Sequence, residues 1–448
     1  MALIAIMLAS PIAAQTFTGD DAERLNMTMV GYLQLSDTPV SLDEIPPYTD
    51  IYVAGHHAYV GSFYGEVYII DISNPAEMAL VATLEMPGPA LDLKVDGDLL
   101  AIGMQGAGDM GLGLVDISDP AEPKILSTFF EEGWIGVHNL FLYNDRAYLA
   151  HASSGGVTIV DISDPAHPVV TGHWDNEMGE YSNIVHDVHI SDDMAFFCDF
   201  WPGEGGLIIL DLQDPDRPVT LSAVPIPEGV HNAWRRGDYV YFNQEFGGGV
   251  FPLHVVDIAE PANPVRAGTF YPDRVLRDRS VWGAHNTWIE GDLLYWAYYD
   301  AGVRVFDLSV PDHPVEIGYH TAVSTWGTQP HSDGLIYSIE NWQGGVASMR
   351  FHQPAHAIRK VELGQTVGIK GRTGGIGVQA WTAPLPGGEG DIRRISVGLP
   401  GVVDGELLHP EDDYRYVGRM TIPEDMPSGR RQVQVMLEDN QGRFYPFN

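Results

Sequence analysis

The chain has 448 residues, with 61 Asp+Glu against 24 Lys+Arg and a formal net charge of −37 at pH 7. Such an acidic excess argues against nucleic acid and anionic membrane surfaces as partners, because both repel it. Hydrophobic residues are 44% and charged residues only 19%, which excludes a disordered acidic chain. The single cysteine, Cys198, excludes an internal disulfide framework and a CxxC metal site.

Residues 1–14 form an apolar run ending in small residues, the pattern of a secretory signal peptide. They predict a periplasmic or extracellular protein. The run is too short to span a bilayer, and no later segment is apolar enough to be a transmembrane span.

From residue 26 the chain reads as short strands. Val67-Tyr-Ile-Ile-Asp-Ile-Ser-Asn-Pro75, Leu112-Gly-Leu-Val-Asp-Ile-Ser-Asp-Pro120 and Val157-Thr-Ile-Val-Asp-Ile-Ser-Asp-Pro165 are near copies. Segments beginning at Leu207, Leu253 and Val303 continue the series, and a decayed seventh copy begins at Val346. The repeated Asp falls at 71, 116, 161, 211, 257 and 307, a period of 45 to 50 residues. Each period holds four strand-like runs separated by turn residues, which is the size and content of a propeller blade.

Seven inner three-strand units start near residues 49, 90, 138, 186, 231, 285 and 327, but only six outer strands follow them. Residues 26–35 resemble the missing outer strand. The expectation is an all-β, seven-bladed β-propeller over residues 26–354, its last blade closed by the N-terminal strand. The runs resemble the LVIVD-repeat proteins, named for segments such as Val157-Thr-Ile-Val-Asp161. That resemblance implies a β-propeller, often exported, and says little about activity. Residues 356–448 alternate like half-buried strands between turn clusters and predict a small immunoglobulin-like β-sandwich.

An Asp present in six copies reads as architecture, its side chain accepting backbone N–H bonds in the turn. The histidines are used unevenly. His138, His186, His231 and His285 stand at the start of the innermost strand in four successive units, where the other three carry Thr49, Ala90 and Gly327. Four neutral imidazoles around one axis suit Fe, Cu or Zn. The bland alternative is that each imidazole bonds the backbone of a neighbouring blade.

The ends of the second strands lie nearby and carry Asp199, Glu245, Tyr298 and Glu340, candidates for general bases or for partners that orient the imidazoles. Loops at the same end carry Trp201, Trp282, Trp326 and Trp342, with Arg279 in the longest of them, candidates for holding substrate. Cys198 reads as buried and inert. Two functions fit. One is an exported metal-dependent enzyme, an oxidoreductase or a lyase or hydrolase, acting on a small organic or carbohydrate substrate. The other is a non-catalytic module that binds protein or polysaccharide at the cell surface.

Overall fold

The computed structural model describes residues 24–35, 47–106, 110–151, 155–175, 184–200, 205–245, 251–272, 283–321, 324–340 and 344–354, and farther on 356–363, 374–384, 391–399, 403–410, 415–422, 433–440 and 444–447. The signal-like segment lies outside them. Every regular element among the described residues is a β-strand. No helix among them is long and apolar enough to cross a membrane.

The third repeat shows how the sequence folds. Asn139–Tyr143, Arg146–Ala150, Val157–Asp161 and Val169–Trp174 pair in that order, all antiparallel. Asn144 and Asp145 join the first two strands with φ of 49° and 56°. Asn and Asp tolerate that left-handed backbone, which matches the twist of a tight hairpin. Val157, Ile159 and Val160 are fully buried, whereas the fourth strand alternates between exposed and half-buried positions up to the buried Trp174. The fourth strand carries one extra residue opposite Ile159/Val160, a bulge that recurs opposite Ile69/Ile70, Ile209/Leu210 and Val255/Val256. Such a bulge increases the local twist of the sheet.

The recurring Asp behaves as architecture. Oδ1 of Asp71, Asp116, Asp161, Asp211, Asp257 and Asp307 accepts the backbone N–H two residues on, at 2.8–3.1 Å. The next turn residue repeats the device at Asn74, Asp119, Asp164 and Asp214.

Among the described residues there are seven such sheets, six of four strands and the sixth with Arg24–Leu25 as a fifth, with first strands Tyr48–Ala54, Ala90–Asp96, Asn139–Tyr143, Val185–Ser191, Asn232–Arg236, Thr287–Glu290 and Thr325–Pro330. Each first strand packs beside the next, and Thr325–Pro330 packs beside Tyr48–Ala54. Repeated antiparallel four-stranded sheets in this arrangement make a β-propeller. The outer strand of the last sheet is Met27–Gln34, paired with Gly345–Phe351. Neighbouring sheets are latched through the prolines of these turns. Ser127 Oγ donates to Pro165 O (2.7 Å), Ser222 Oγ to Pro261 O (2.5 Å) and Ser348 Oγ to Pro75 O (2.7 Å). The last of these joins the seventh sheet to the first. Gly31 sits in the same seam, where a Cβ would lie 2.1 Å from Pro75 O.

By compactness the chain divides into two units, residues 28–304 with 320–350, and residues 23–27 with 305–319 and 351–448. The boundary passes through the sixth sheet. The residues after 354 give one hydrogen-bonded order of seven strands: His356–Leu363, Gly374–Pro384, Arg415–Ile422, Val403–Pro410, Ile392–Leu399, Gln434–Asp439 and Phe444–Phe447. Their core gathers Val378, Ala380, Ile395, Val397, Met420 and Leu437.

Candidate metal centre

The four histidines form a continuous arc. Ring centroids are 4.3 Å apart for His138–His186, 4.2 Å for His186–His231 and 4.4 Å for His231–His285. The spacing follows from the fold, since adjacent first strands bring equivalent positions together.

One nitrogen of the ring serves the architecture. His186 Nδ1 donates to His231 O at 3.1 Å, and His285 Nδ1 donates to Trp326 O at 2.6 Å. Thr49, at the equivalent place in the first sheet, makes the same tie from Oγ1 to Ala90 O at 2.5 Å. At Gly327 a Cβ would lie 2.6 Å from Asp50 Oδ1, so that sheet has no room for a side chain there. An inter-sheet bond therefore accounts for one imidazole nitrogen. It leaves the other, Nε2, with a free lone pair, the arrangement that outer partners impose on metal-binding histidines.

His138 Nδ1 faces the Gln105 amide oxygen, and His138 Nε2 lies 2.8 Å from His186 Nε2. At that distance either one ring carries a proton on Nε2 and donates it to the other, or both lone pairs face a shared cation.

His231 is fully buried, and neither of its ring nitrogens has a hydrogen-bond partner among the described residues. Its Nε2 faces Glu245 Oε2 at 3.4 Å. The Tyr299 hydroxyl donates to Glu245 Oε1, fixing the carboxyl plane. His186, His231 and Glu245 are all buried, and their ligand atoms lie within 4.8 Å of one another. Two imidazoles and a carboxylate make a donor set that could hold a metal ion.

Burial sets the protonation. It holds His138 down at about 4 and His285 at about 3, and His186 and His231 well below the ordinary imidazole value. All four rings are therefore neutral at pH 7 and able to ligate. Burial pushes Glu245 up to about 8 despite the Tyr299 hydrogen bond. Tyr299 is itself raised well above the ordinary phenol value by burial and by Glu245.

The other sequence candidates are placed differently. The hydroxyl that reaches the cluster belongs to Tyr299 and not to Tyr298. Tyr298 OH donates to Phe251 O at 2.9 Å and accepts from Phe251 N at 3.2 Å, which ties down a neighbouring segment. Glu340 accepts from Gly344 N–H at 2.9 Å and braces a turn. Asp199 is fully buried at the end of its strand. Trp326 packs 4.7 Å from the His285 ring. Trp201, Trp282, Trp342 and Arg279 lie outside the described residues. Cys198 is fully buried in an apolar cluster, and burial pushes its thiol well up. The sequence placed Tyr299 beside Tyr298 at the end of its strand without singling it out, and it gave no sign of Gln105 or of Phe200, whose ring stacks on His186 at 4.6 Å.

Four segments, residues 48–85, 87–129, 137–176 and 283–321, match the LVIVD repeat model. The chain carries LVIVD repeats. They cover the first three sheets and the sixth, with the turns that follow Asp71, Asp116, Asp161 and Asp307 and two of the four histidines. Among solved structures, a candidate 6-phosphogluconolactonase from Bacteroides uniformis ATCC 8492 is 14% identical with a TM-score of 0.50, over 66% of this chain and 89% of that one. A candidate 6-phosphogluconolactonase from Bacteroides fragilis NCTC 9343 is 14% identical with a TM-score of 0.49, over 67% and 89%. The computationally designed Ika8 protein is 11% identical with a TM-score of 0.49, over 68% and 96%. These likenesses concern the fold alone. No curated protein matches the chain.

Proposed function

We propose that this LVIVD-repeat chain is a metal-binding propeller in which His186, His231 and Glu245 hold a divalent or redox metal, Fe, Cu or Zn. His138 and His285 flank the group on either side. The observation that carries this reading is the approach of three buried ligand atoms within 4.8 Å, with the imidazoles neutral and Nδ1 of His186 already committed to a carbonyl. His231 has no hydrogen-bond partner within ordinary distance among the described residues, and a cation between its Nε2 and Glu245 Oε2 would satisfy both groups.

A bound metal would supply Lewis acidity or redox chemistry to a small organic or carbohydrate substrate. In this reading the protein is a metal-dependent enzyme. Tyr299 orients Glu245, and Trp326 walls the cluster on the His285 side. The sheets described above are taken as seven blades closed by Met27–Gln34, and the strands after residue 354 as an immunoglobulin-like β-sandwich. Residues 1–14 support export to the periplasm or beyond.

Metal analysis tests the reading. The full chain is stripped with chelator, reconstituted with Fe, Cu, Zn or Mn, desalted and analysed by mass spectrometry for bound metal. About one ion per chain is expected, lost in His231→Ala and in Glu245→Gln while the fold is retained by circular dichroism. No retained metal after reconstitution overturns the proposal. It would favour the non-catalytic module, for which the observation that Thr49 makes the same inter-sheet tie as His186 already speaks.

A further inference from the structure

Farther along the same first strands the axis opens into a cavity of about 470 Å3, counted with its open mouth. Trp234, Trp288 and Phe141 each stand three residues beyond a histidine of the arc, roughly 10 Å away at the rise of a strand. Asn139, Asp187, Asn232 and Asn286, each next to a histidine of the arc, also line the cavity, but none of the four histidines and not Glu245 does.

Its wall is aromatic and concave. Tyr52, Phe141, His189, Trp234 and Trp288 line it from five different sheets. Trp234 and Trp288 have centroids 4.7 Å apart at 42°, and Tyr52 meets Trp288 at 5.8 Å and 70°. Rings inclined in this way form a cup and not the flat platform on which a sugar ring stacks.

The wall is also acidic at depth. Asp50, Asp187 and Lys94 line the cavity, and Lys94 Nζ is bound to Asp92 at 2.5 Å. Three carboxyl groups thus accompany one ammonium, with burial pushing Asp187 up to about 7. Burial and the proximity of Asp92 push Asp50 well above the ordinary carboxyl value, a sign that positive charge is in short supply there. The collar already faces one cation, because Lys94 Nζ lies 6.0 Å from the Tyr52 ring centroid. His189 is 5% exposed, and neither ring nitrogen has a hydrogen-bond partner among the described residues. It is a polar group in the wall that a ligand could satisfy.

We infer that this cavity is a second binding site, for a small organic cation such as an alkylated ammonium. Aromatic faces attract such a cation through the ring quadrupole, and its arrival favours the ionised form of Asp50, which then supplies the opposite charge. A neutral ligand of the same shape gains the apolar contact but neither electrostatic part.

The test is calorimetric titration of the metal-free full chain with choline, with its uncharged carbon isostere 3,3-dimethylbutan-1-ol, and with glucose. Choline is expected to bind once per chain, at least about tenfold tighter than the isostere. Trp288→Phe should weaken it by about threefold, and Trp288→Ala and Asp50→Asn by about tenfold or more, with melting curves confirming folded variants. Equal affinity for choline and its isostere, binding of glucose alone, or no binding of millimolar choline overturns the proposal. So does wild-type affinity in the folded Trp288 and Asp50 variants. Because no metal is present, the outcome is independent of the His186–His231–Glu245 reading.

Discussion

The Tyr299 hydroxyl is bound to Glu245 Oε1, which leaves Oε2 turned to His231 Nε2 at 3.4 Å. One residue thus aims another at a third. Removing the phenol oxygen alone should keep the fold and loosen the carboxyl. Tyr299→Phe is expected to weaken metal binding by about 10–100-fold, the usual effect of losing an outer partner of a ligand. Competition with a chromogenic chelator measures this, and unchanged affinity would remove Tyr299 from the site.

The inter-sheet tie made by His285 Nδ1 can be separated from the chemistry of Nε2. His285→Ala loses the bond to Trp326 O and leaves a cavity, for a cost of about 2–4 kcal/mol. His285→Thr places a hydroxyl where Thr49 has one in the first sheet and should recover about 1 kcal/mol of that. Urea unfolding compares the two. A threonine variant no more stable than the alanine variant would show that the tie does not transfer.

Asp161 accepts bonds from Ser163 and pairs with Arg146 at 3.1 Å, and the Ser163 bonds chiefly hold its pKa below the ordinary carboxyl value. Its folded value is therefore lower than its unfolded value of about 3.9. The stability it contributes is complete above the unfolded value and is lost as pH falls through the folded one. Asp161→Asn should thus be less stable than the parent at pH 7, with the difference shrinking below about pH 4. Denaturant melts at several pH values test this, and a difference that stays constant down to pH 2 contradicts it.

Gly31 is a steric prediction. A Cβ there meets a backbone oxygen of the first sheet, which cannot swing aside. Gly31→Ala should cost roughly 1–3 kcal/mol, the range for overpacking. A thermal melt matching the parent would mean that the seam between the last and first sheets yields easily.

The blade architecture was legible because it is written several times. Asp71, Asp116, Asp161 and their counterparts repeat one turn, and repetition distinguishes structure from chance. The register of His138, His186, His231 and His285 was legible for the same reason, and their meeting in space follows from it. Tyr299 was not, because its φ of 32° leaves the extended backbone and breaks the alternation that would assign side chains at a strand end. Its neighbour Tyr298 was read in its place. The pairing of Lys94 with Asp92 was hidden as well, since it belongs to a sheet without a histidine and repeats nowhere. The division of labour between Nδ1 and Nε2 needed coordinates, since sequence shows that a histidine is present but not which nitrogen is engaged.

The strand Met27–Gln34 finds its partner, Gly345–Phe351, only after more than three hundred further residues have been made. At about 5–20 residues per second of synthesis, that is a wait of roughly 15–60 s. For that interval the emerging chain carries an unmatched edge at each end of a growing stack of sheets.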